Sequence, residues 1–401
     1  MAKRVLLLGN YPPPYGGVPT HIKYLADYLA GRDWDVHVVS FVGPAVGVEH
    51  SAGYPVHRFV RNSRWSQLAR SAWAEIGYIV RQRDAFFHSP RLALSQVGTL
   101  SFVRALVRRH NIGLISAYHI LGAGIVGAWL NAEQGTRLIT TVFGELYSQT
   151  ALHRRRLAEV REVVARSSRL LSCSHHCAAS FQTLGLSPSV EAVHYGIDTA
   201  RFRPGSGGAE LRTRLGIAPG TPVVLYVARM VREMGLDVLL AAIPEVLSAR
   251  PEASFLIVGT RGELTGEAEA HAARYPGHVI VAADAPVAEL PAYYDACAFA
   301  VAPSVSTRAC LGLAIAEAMS SAKAVIGARV GGTAEVIAEG ETGVLVPPAD
   351  NAALAAAIIA MLDDETTRER MGRQGRSRAT ALFDKERTNR RMEQIFEEVL
   401  A

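Results

Sequence analysis

The fold that we predict for this chain is indicated most clearly by the segment Ala302-Pro-Ser-Val-Ser-Thr-Arg-Ala-Cys-Leu-Gly-Leu-Ala-Ile-Ala-Glu-Ala-Met319. A short apolar strand ends in this segment, a loop follows, and a helix begins after Gly312. Further along, Gly331-Gly332 and the apolar residues 343–346 predict a turn and another strand. A strand that leads into a helix is typical of α/β proteins, which bind phosphate groups at the free amides of the helix start.

Length and composition predict two globular domains. The chain has 401 residues, which suits two α/β domains of about 200 residues each better than one. Its hydrophobic content of 49% and charged content of 20% favour packed domains over extensive disorder. The apolar residues 5–8 are too short for a signal-peptide core, and no apolar run has spanning length. We therefore expect a cytoplasmic protein, at most peripheral at the inner face of the membrane.

Alternating strands and helices run through the first half of the chain. The predicted strands are short runs of Val, Ile and Leu closed by turn residues, at 5–9, 35–41, 113–118, 137–143 and 170–174. Residues 20–32 and 159–169 have apolar residues at helical spacing. This alternation predicts a parallel, doubly wound sheet.

A break in the pattern separates this half from a second α/β domain. Residues 196–208 contain proline and several glycines without an apolar period, which indicates a linker. Predicted strands then return at 222–228, 254–259, 278–283, 298–303, 324–328 and 343–346, with helices at 236–249, 313–320 and 351–363. The predicted division is a domain at 1–200, a domain at 201–385, and an amphipathic helix at 386–401 that packs back on the first domain.

Several segments together resemble the retaining glycosyltransferases of family 4, which have the GT-B fold. Residues 303–319 are similar to the family pattern Pro-Ser-x-x-x-x-Glu-x-x-Gly-x-x-x-x-Glu-Ala-Met, in which Glu317 takes the second glutamate position and Ala309 the first. Tyr195-Gly-Ile-Asp198 resembles the family's Asn-Gly-Val-Asp. The resemblance covers nearly the whole chain. It implies an α/β protein of two Rossmann-like, doubly wound domains that face a cleft.

The resemblance also implies a set of donor-binding residues. The glycines after the first strand would let backbone approach the donor phosphates or the acceptor, Arg229 would clamp the diphosphate, and Glu317 would accept the ribose hydroxyls. The donor-binding residues implied in this way are Gly16, Gly17, Arg229, Cys310, Leu311, Gly312, Leu313 and Glu317. Plainer interpretations also remain open, since a glycine pair can simply form a turn and an acidic residue can simply favour a helix start.

Two positions depart from the family pattern on the donor side. The family's Gly-Arg-x-x-x-x-Lys-Gly becomes Ala228-Arg229 followed by Met234-Gly235, so a second phosphate-binding cation is missing. Arg232 could reach into its place. Ala309 replaces the glutamate that would bind the donor sugar's hydroxyls in family members.

His119 and Glu145 are the candidate residues of the first domain. His119 follows a predicted strand and matches a histidine that family members use near the donor sugar, so we expect it and Arg229 to be catalytic. Phe143-Gly144-Glu145 resembles the family's Val-His-Gly segment, with Phe143 in place of the histidine. Glu145 could bind the acceptor, and an exposed loop acid is the equal alternative.

The charge distribution bears on the partners. Residues 1–200 carry 21 Lys and Arg against 12 Asp and Glu, whereas residues 201–401 carry 21 against 25. Ten arginines lie between Arg58 and Arg109, interleaved with the aromatic residues Trp65, Trp73, Tyr78, Phe86 and Phe87. Such a region can lie on anionic lipid or bind an acidic acceptor, and a solvated helix face with buried aromatics is an equal alternative. Nothing resembles a nucleic-acid motif, and Cys173-Ser-His-His-Cys177 lacks a second ligand pair for zinc.

The resemblance implies a retaining glycosyltransferase, and the charge distribution motivates a membrane-proximal acceptor. The enzyme would transfer a sugar from a nucleotide diphosphate, such as a UDP- or GDP-sugar, to a cell-envelope, polysaccharide or glycolipid acceptor, without a metal or other cofactor. The departures at Met234 and Ala309 leave two alternatives, which are a non-catalytic GT-B protein that acts as a binding partner and a transferase with an atypical donor.

Overall fold

The computed structural model describes residues 3–13, 15–42, 47–51, 53–58 and 90–401. The chain divides into two units, which are residues 1–193 with 388–401 and residues 194–387. The sequence places the corresponding boundaries at 200 and 385. The aromatic residues of the predicted basic surface, Trp65 to Phe87, lie outside the described residues. Among the residues that are described, none of the helices combines the length and apolar character needed to cross a bilayer.

The first unit is built on one largely parallel sheet. Its strands are β1 (Lys3–Leu8), β2 (Trp34–Ser40), β3 (Gly47–Ser51), β4 (Tyr54–Arg58), β5 (Leu114–Tyr118), β6 (Arg137–Val142), β7 (Arg169–Ser172) and β8 (Glu191–Ala192). Their order in the sheet is β3-β4-β2-β1-β5-β6-β7-β8. The β3–β4 pair is an antiparallel hairpin at the edge, which the sequence analysis does not predict.

The helices of the first unit cover this sheet. They are α1 (Gly17–Ala30), α2 (Pro90–His110), α3 (Ile125–Gln134), α4 (Glu145–Ser148), α5 (Thr150–Arg155), α6 (Leu157–Arg166) and α7 (His175–Ala179). A π-helical turn, His119–Gly124, joins β5 to α3. Strand β1 lies at the centre of the sheet, where Val5 pairs with Val36 of β2 and with Leu114 of β5, and residues 5–8 of this strand are fully buried. Such continuous apolar runs are expected where helices cover both faces of a parallel sheet.

The second unit is a parallel sheet with helices between its strands. The strands are β9 (Val223–Val227), β10 (Ser254–Gly259), β11 (Val279–Ala283), β12 (Phe299–Ala302), β13 (Ala324–Ala328) and β14 (Gly343–Val346), in the order β11-β10-β9-β12-β13-β14. The helices are α8 (Gly208–Arg214), α9 (Leu236–Ala249), α10 (Thr265–Arg274), α11 (Leu290–Ala296), α12 (Leu313–Ser320), α13 (Thr333–Val336), α14 (Asn351–Asp363) and α15 (Glu365–Phe383). The prediction of two Rossmann-like α/β domains is therefore confirmed.

The last helix, α16 (Lys385–Leu400), belongs mainly to the first unit. The ring of Phe396 is fully buried and meets the ring of Trp34 edge to face, with centroids 5.8 Å apart. The Glu393 carboxylate accepts hydrogen bonds from the indole of Trp34 at 3.0 Å and from the hydroxyl of Tyr28 at 3.1 Å. Both the apolar face and a polar residue of α16 therefore contribute to the packing of the first unit.

Candidate active site

Each sheet has a topological switch point, at which successive strands are added on opposite sides of the first strand. The candidate residues follow the strands that flank these two switch points. In the second unit the switch point falls between β9 and β12, and in the first unit it falls between β1 and β5. Ligands of open α/β sheets bind outside the carboxyl ends of the strands at such switch points. Arg229 and the loop 303–312 follow β9 and β12, whereas Gly16 and His119 follow β1 and β5.

Arg229 stands two residues beyond β9. Its side chain is 56% exposed, and its nearest acidic partner is Glu233, at 3.6 Å between Nη2 and Oε2. The hydroxyl of Tyr226 donates to the carbonyl of Arg229 at 3.1 Å and holds the backbone of this turn. The guanidinium is therefore available to an anionic ligand at the carboxyl edge of the sheet.

Glu233 connects this turn to the loop after β12. Its carboxylate accepts two hydrogen bonds from Arg308, Nε at 2.7 Å and Nη2 at 2.6 Å. Its backbone carbonyl accepts from the hydroxyl of Ser304 at 3.1 Å and from the amide of Val305 at 3.2 Å. The hydrogen bonds from Arg308 hold the pKa of the Glu233 carboxyl below its usual value, although partial burial opposes the shift.

The position of the family's lysine has no cationic substitute on its own turn. Met234 is partly buried and packs against the core of the second unit. Arg232, which could have reached into the lysine's place, is paired with Asp237 at 3.2 Å and with Glu267 at 3.4 Å, while its side chain is 60% exposed. Arg232 thus forms ion pairs with a carboxylate of α9 and a carboxylate of α10.

The glycine pair Gly331-Gly332 allows the loop before α12 to pack closely. The amide of Gly332 donates to the carbonyl of Ala309 at 2.8 Å. A Cβ atom at Gly332 would lie 1.9 Å from the carbonyl oxygen of Cys310, and one at Gly331, where φ is 60°, would lie 2.2 Å from that of Ala309. Only glycine fits such an approach. The pair therefore fixes the loop that carries Ala309, Cys310 and Leu311.

Glu317 lies in the helix that this loop introduces. Helix α12 begins at Leu313, after Gly312 in a left-handed conformation with φ 79°. The Glu317 carboxylate accepts a hydrogen bond from the hydroxyl of the buried Tyr294 at 2.9 Å. Burial raises the pKa of the Glu317 carboxyl to about 7, although the Tyr294 hydrogen bond opposes the shift. A carboxyl group of this pKa gains or loses its charge near neutral pH.

The pKa of Glu317 predicts a pH-dependent affinity for nucleotide. If the ionised carboxylate accepts ribose hydroxyls, affinity reaches a plateau above pH 7 and falls by up to about tenfold per pH unit below it. Calorimetric titration of UDP and GDP between pH 6 and 8 measures this dependence. The Glu317→Gln variant is the control, because the titration of the nucleotide's phosphate affects its pH profile and that of the wild type equally. The same pH profile in the wild type and in the control would contradict the assignment.

The glycines of the first unit lie at the start of α1. Gly16 caps the helix, and its carbonyl accepts from the amide of Thr20 at 2.9 Å, while Gly17 opens the first turn. A Cβ atom at Gly16 would meet only Pro19, at 3.7 Å, among the described residues. Packing within the described residues does not require a glycine at position 16, whereas close approach of a ligand would.

His119 has a strained backbone at the end of β5. Its φ is 80°, which is unusual for a residue other than glycine, and such strain is concentrated at functional sites. Its side chain is 42% exposed, and its Nδ1 lies 3.7 Å from the Oε2 atom of Glu145. The ring of Phe143 meets the imidazole edge to face, with centroids 4.8 Å apart. The neighbours thus hold the ring while leaving part of it accessible.

Glu145 is a buried acid, so the alternative of an exposed loop acid is wrong. The residue is 8% exposed, and its carboxylate accepts from the amides of Phe143 at 2.6 Å and Ile120 at 3.4 Å. Burial raises its pKa, but the contact with His119 and the amides of Glu145 and Phe143 outweigh that effect, so the net shift is downward. Glu145 is therefore a carboxylate that holds His119. Its predicted acceptor role stays a prediction.

The sequence analysis missed Glu233 and Arg308. Both residues occupy unspecified positions of the family patterns, and they are 75 positions apart in the chain. The signal that could have drawn attention to Arg308 is its place in the loop after β12, one residue before the position where a family glutamate is missing.

Two family profiles match nearly the whole chain between them. "Glycosyltransferase Family 4" matches residues 15–201, and "Glycosyl transferases group 1" matches residues 209–378. A D-inositol 3-phosphate glycosyltransferase of Streptomyces avermitilis is 34% identical over 92% of this chain and 82% of its own length.

Solved structures share the fold at lower identity. A sucrose-phosphate synthase from Thermosynechococcus elongatus has a TM-score of 0.79 at 22% identity, over 99% of both chains. Anabaena HepE in complex with UDP and glucose has a TM-score of 0.77 at 19% identity, over 99% of this chain and 100% of its own. With the profiles and the 34% identical relative, these likenesses place the chain among the group 1, family 4 glycosyltransferases of the GT-B fold.

Proposed function

We propose that this glycosyltransferase is a retaining enzyme, which transfers a sugar from a nucleoside diphosphate to a saccharide or lipid-linked acceptor. The observation that carries the proposal is the switch point of the second unit. There an accessible guanidinium, Arg229, follows β9, and a carboxyl group, Glu317, lies in the helix after β12. A guanidinium can bind a diphosphate, and a carboxylate can accept the hydroxyl groups of a ribose. The UDP bound to HepE, a protein of the same fold, supports a nucleotide sugar as the donor.

Catalysis in this proposal rests on charge and position. The bond between the anomeric carbon and the diphosphate oxygen breaks, and the acceptor oxygen forms a bond to the same carbon on the same face. The acceptor's proton passes to the departing phosphate oxygen, so no protein nucleophile is needed. Arg229 and the amides at Cys310–Leu313 would stabilise the charge of the leaving diphosphate. We assign His119 to the transferred sugar, as the resemblance implies, with Glu145 as the buried carboxylate beside it. An acceptor contact of Glu145 stays a prediction.

A panel of nucleotide sugars tests the proposal. UDP- and GDP-sugars are incubated with saccharide and lipid-linked acceptors, and the anomeric configuration of each product is read by NMR. We expect retention of configuration, and a rate that EDTA does not change, because arginine and backbone amides provide the positive charge. An inverted product would contradict the retaining mechanism, and loss of activity in EDTA would contradict metal independence.

A double variant tests whether the departures at Met234 and Ala309 limit activity. The variant Met234→Lys, Ala309→Glu restores both family residues. Turnover of a common donor by the unmodified chain would show that neither group is needed. Turnover only by the variant would mean that the chain binds nucleotide but does not transfer an ordinary sugar. No nucleotide binding by either form would favour the role of a non-catalytic partner.

The acceptor's location needs a separate measurement. The positive net charge of residues 1–200 motivates a membrane-proximal acceptor. Sedimentation with vesicles that contain anionic lipid, compared with neutral vesicles, measures this contact. Transfer to soluble acceptors alone, without binding to anionic vesicles, would contradict it.

A further inference from the structure

We propose that Arg308 is a second diphosphate-binding residue of the donor site, held beside Arg229 by Glu233. This inference rests on the proposed function and deepens it. Arg308 lies in the loop after β12, and Arg229 lies in the turn after β9. These two strands are hydrogen-bonded neighbours at the switch point of the second unit.

Close backbone packing keeps the two segments together. A Cβ atom at Gly235, where φ is 72°, would lie 1.8 Å from the carbonyl oxygen of Pro303, so only glycine permits the approach. The carbonyl of Glu233 accepts from both Ser304 and Val305. The position of Arg308 relative to Arg229 therefore does not depend on side-chain contacts alone.

The charges of this cluster suit a diphosphate. Arg229 and Arg308 carry two positive charges and Glu233 carries one negative charge, so the cluster is positive by one. The guanidinium groups are accessible, with side chains 56% and 46% exposed, whereas the Glu233 side chain is 22% exposed. A guanidinium has five N–H donors, and Glu233 engages the Nε and Nη2 atoms of Arg308. The Nη1 group of Arg308 can therefore donate to a ligand without breaking the ion pair.

Arg308 would then replace a missing charge from a different place in the chain. Met234 has no charge, and Arg232, although 60% exposed, pairs with Asp237 of α9 and Glu267 of α10. A diphosphate at the carboxyl edge of the sheet would then meet a cation from each of two adjacent strand ends, because both Arg229 and Arg308 keep donors accessible. The exposed guanidinium of Arg229 can bind phosphate oxygens in a two-pronged way, and the Nη1 group of Arg308 would add a further charged donor beside it.

A structural role for Arg308 is the competing explanation. Its two hydrogen bonds to Glu233 could serve only to fasten the loop 303–312. The two roles differ in the effect of removing the Glu233 charge. If Arg308 only fastens the loop, Glu233→Gln and Arg308→Gln should weaken nucleotide binding alike. If Arg308 binds the diphosphate, Glu233→Gln removes a repulsive charge and keeps the backbone carbonyl, so it should preserve or tighten diphosphate binding while Arg308→Gln weakens it.

Calorimetric titration with UDP, GDP and the corresponding monophosphates provides the test. We expect Arg308→Gln to weaken binding of the diphosphate by about 10- to 100-fold and of the monophosphate by much less. Arg308→Lys should recover part of the loss, and Glu233→Gln should bind the diphosphate as tightly as the wild type or more tightly. The matched control is Arg250→Gln, which removes another arginine–carboxylate pair, to Asp363, at the amino end of β10.

Three outcomes overturn the inference. Diphosphate affinity that is unchanged in Arg308→Gln would overturn it while leaving the proposed function intact. Equal weakening by Glu233→Gln and Arg308→Gln, with a matching loss of thermal stability, would assign Arg308 the fastening role alone. A wild-type protein that binds neither UDP nor GDP would overturn the proposed donor site together with this inference.

Discussion

Replacement of Arg229 by glutamine is expected to lower kcat/KM for sugar transfer by about 100- to 1,000-fold, the range found when one preorganised charge-stabilising donor is removed. Arg229 is a well-exposed guanidinium at the switch point of the second unit, and the turn that carries it is held by Tyr226. In the proposed mechanism, negative charge grows on the diphosphate as the bond between the anomeric carbon and the diphosphate oxygen breaks, and Arg229 would stabilise that charge. Steady-state rates with the donor varied at saturating acceptor measure the effect.

Two further variants separate charge from geometry at this position. Arg229→Lys keeps the positive charge but loses the planar fork, so we expect it to recover only part of the rate. Arg250→Gln, at the opposite edge of the same sheet, should leave kcat/KM unchanged. A loss of less than tenfold in Arg229→Gln would show that the diphosphate depends on other groups.

Replacement of Phe396 by alanine is expected to destabilise the first unit by about 3–5 kcal/mol. The ring is fully buried in α16 and packs edge to face on Trp34, so the shorter side chain leaves a cavity. A typical domain has a net stability of about 5–15 kcal/mol, and this loss is a large share of it. We therefore expect the unfolding transition of the first unit to move to markedly lower urea concentration.

Intrinsic tryptophan fluorescence can measure the unfolding of the first unit. No tryptophan occurs in residues 194–387, whereas Trp34 and Trp129 lie in the described part of the first unit, so tryptophan fluorescence reports on the first unit and not on the second. The matched control is Gln394→Ala, on the exposed face of the same helix, where a surface substitution should change stability by no more than about 0.5 kcal/mol. A shift in Phe396→Ala no larger than in this control would contradict the packing of α16.

Much of the fold could be predicted from local sequence patterns. The strand predicted at 343–346 and the helices predicted at 313–320 and 351–363 agree with β14, α12 and α14. These elements are rich in apolar residues, and each begins at or just after a glycine or an N-cap such as Asp350. The β3–β4 hairpin was missed because its strands are short and depend on pairing with each other and with β2.

The site was predictable only where one segment carried the information. Arg229 follows a predicted strand, and Glu317 lies in a predicted helix that follows another strand. Their placement near the carboxyl edge of the sheet could therefore be anticipated. The burial of Glu145 depends on amides at Ile120 and Phe143, which the fold brings together. The pairing of Arg308 with Glu233 likewise depends on two loops of different strands. Such partners cannot be inferred from spacing along the chain.

The division of the chain has a consequence for the order of folding on the ribosome. Residues 194–387 form the second unit from one continuous stretch, whereas the first unit needs both residues 1–193 and residues 388–401. Translation delivers the whole second unit before it delivers Met392, Ile395, Phe396 and Val399, the buried apolar residues of α16. Until α16 is synthesised, the surface beside Trp34 in the nascent first unit is therefore uncovered. The unit whose synthesis begins first is completed last.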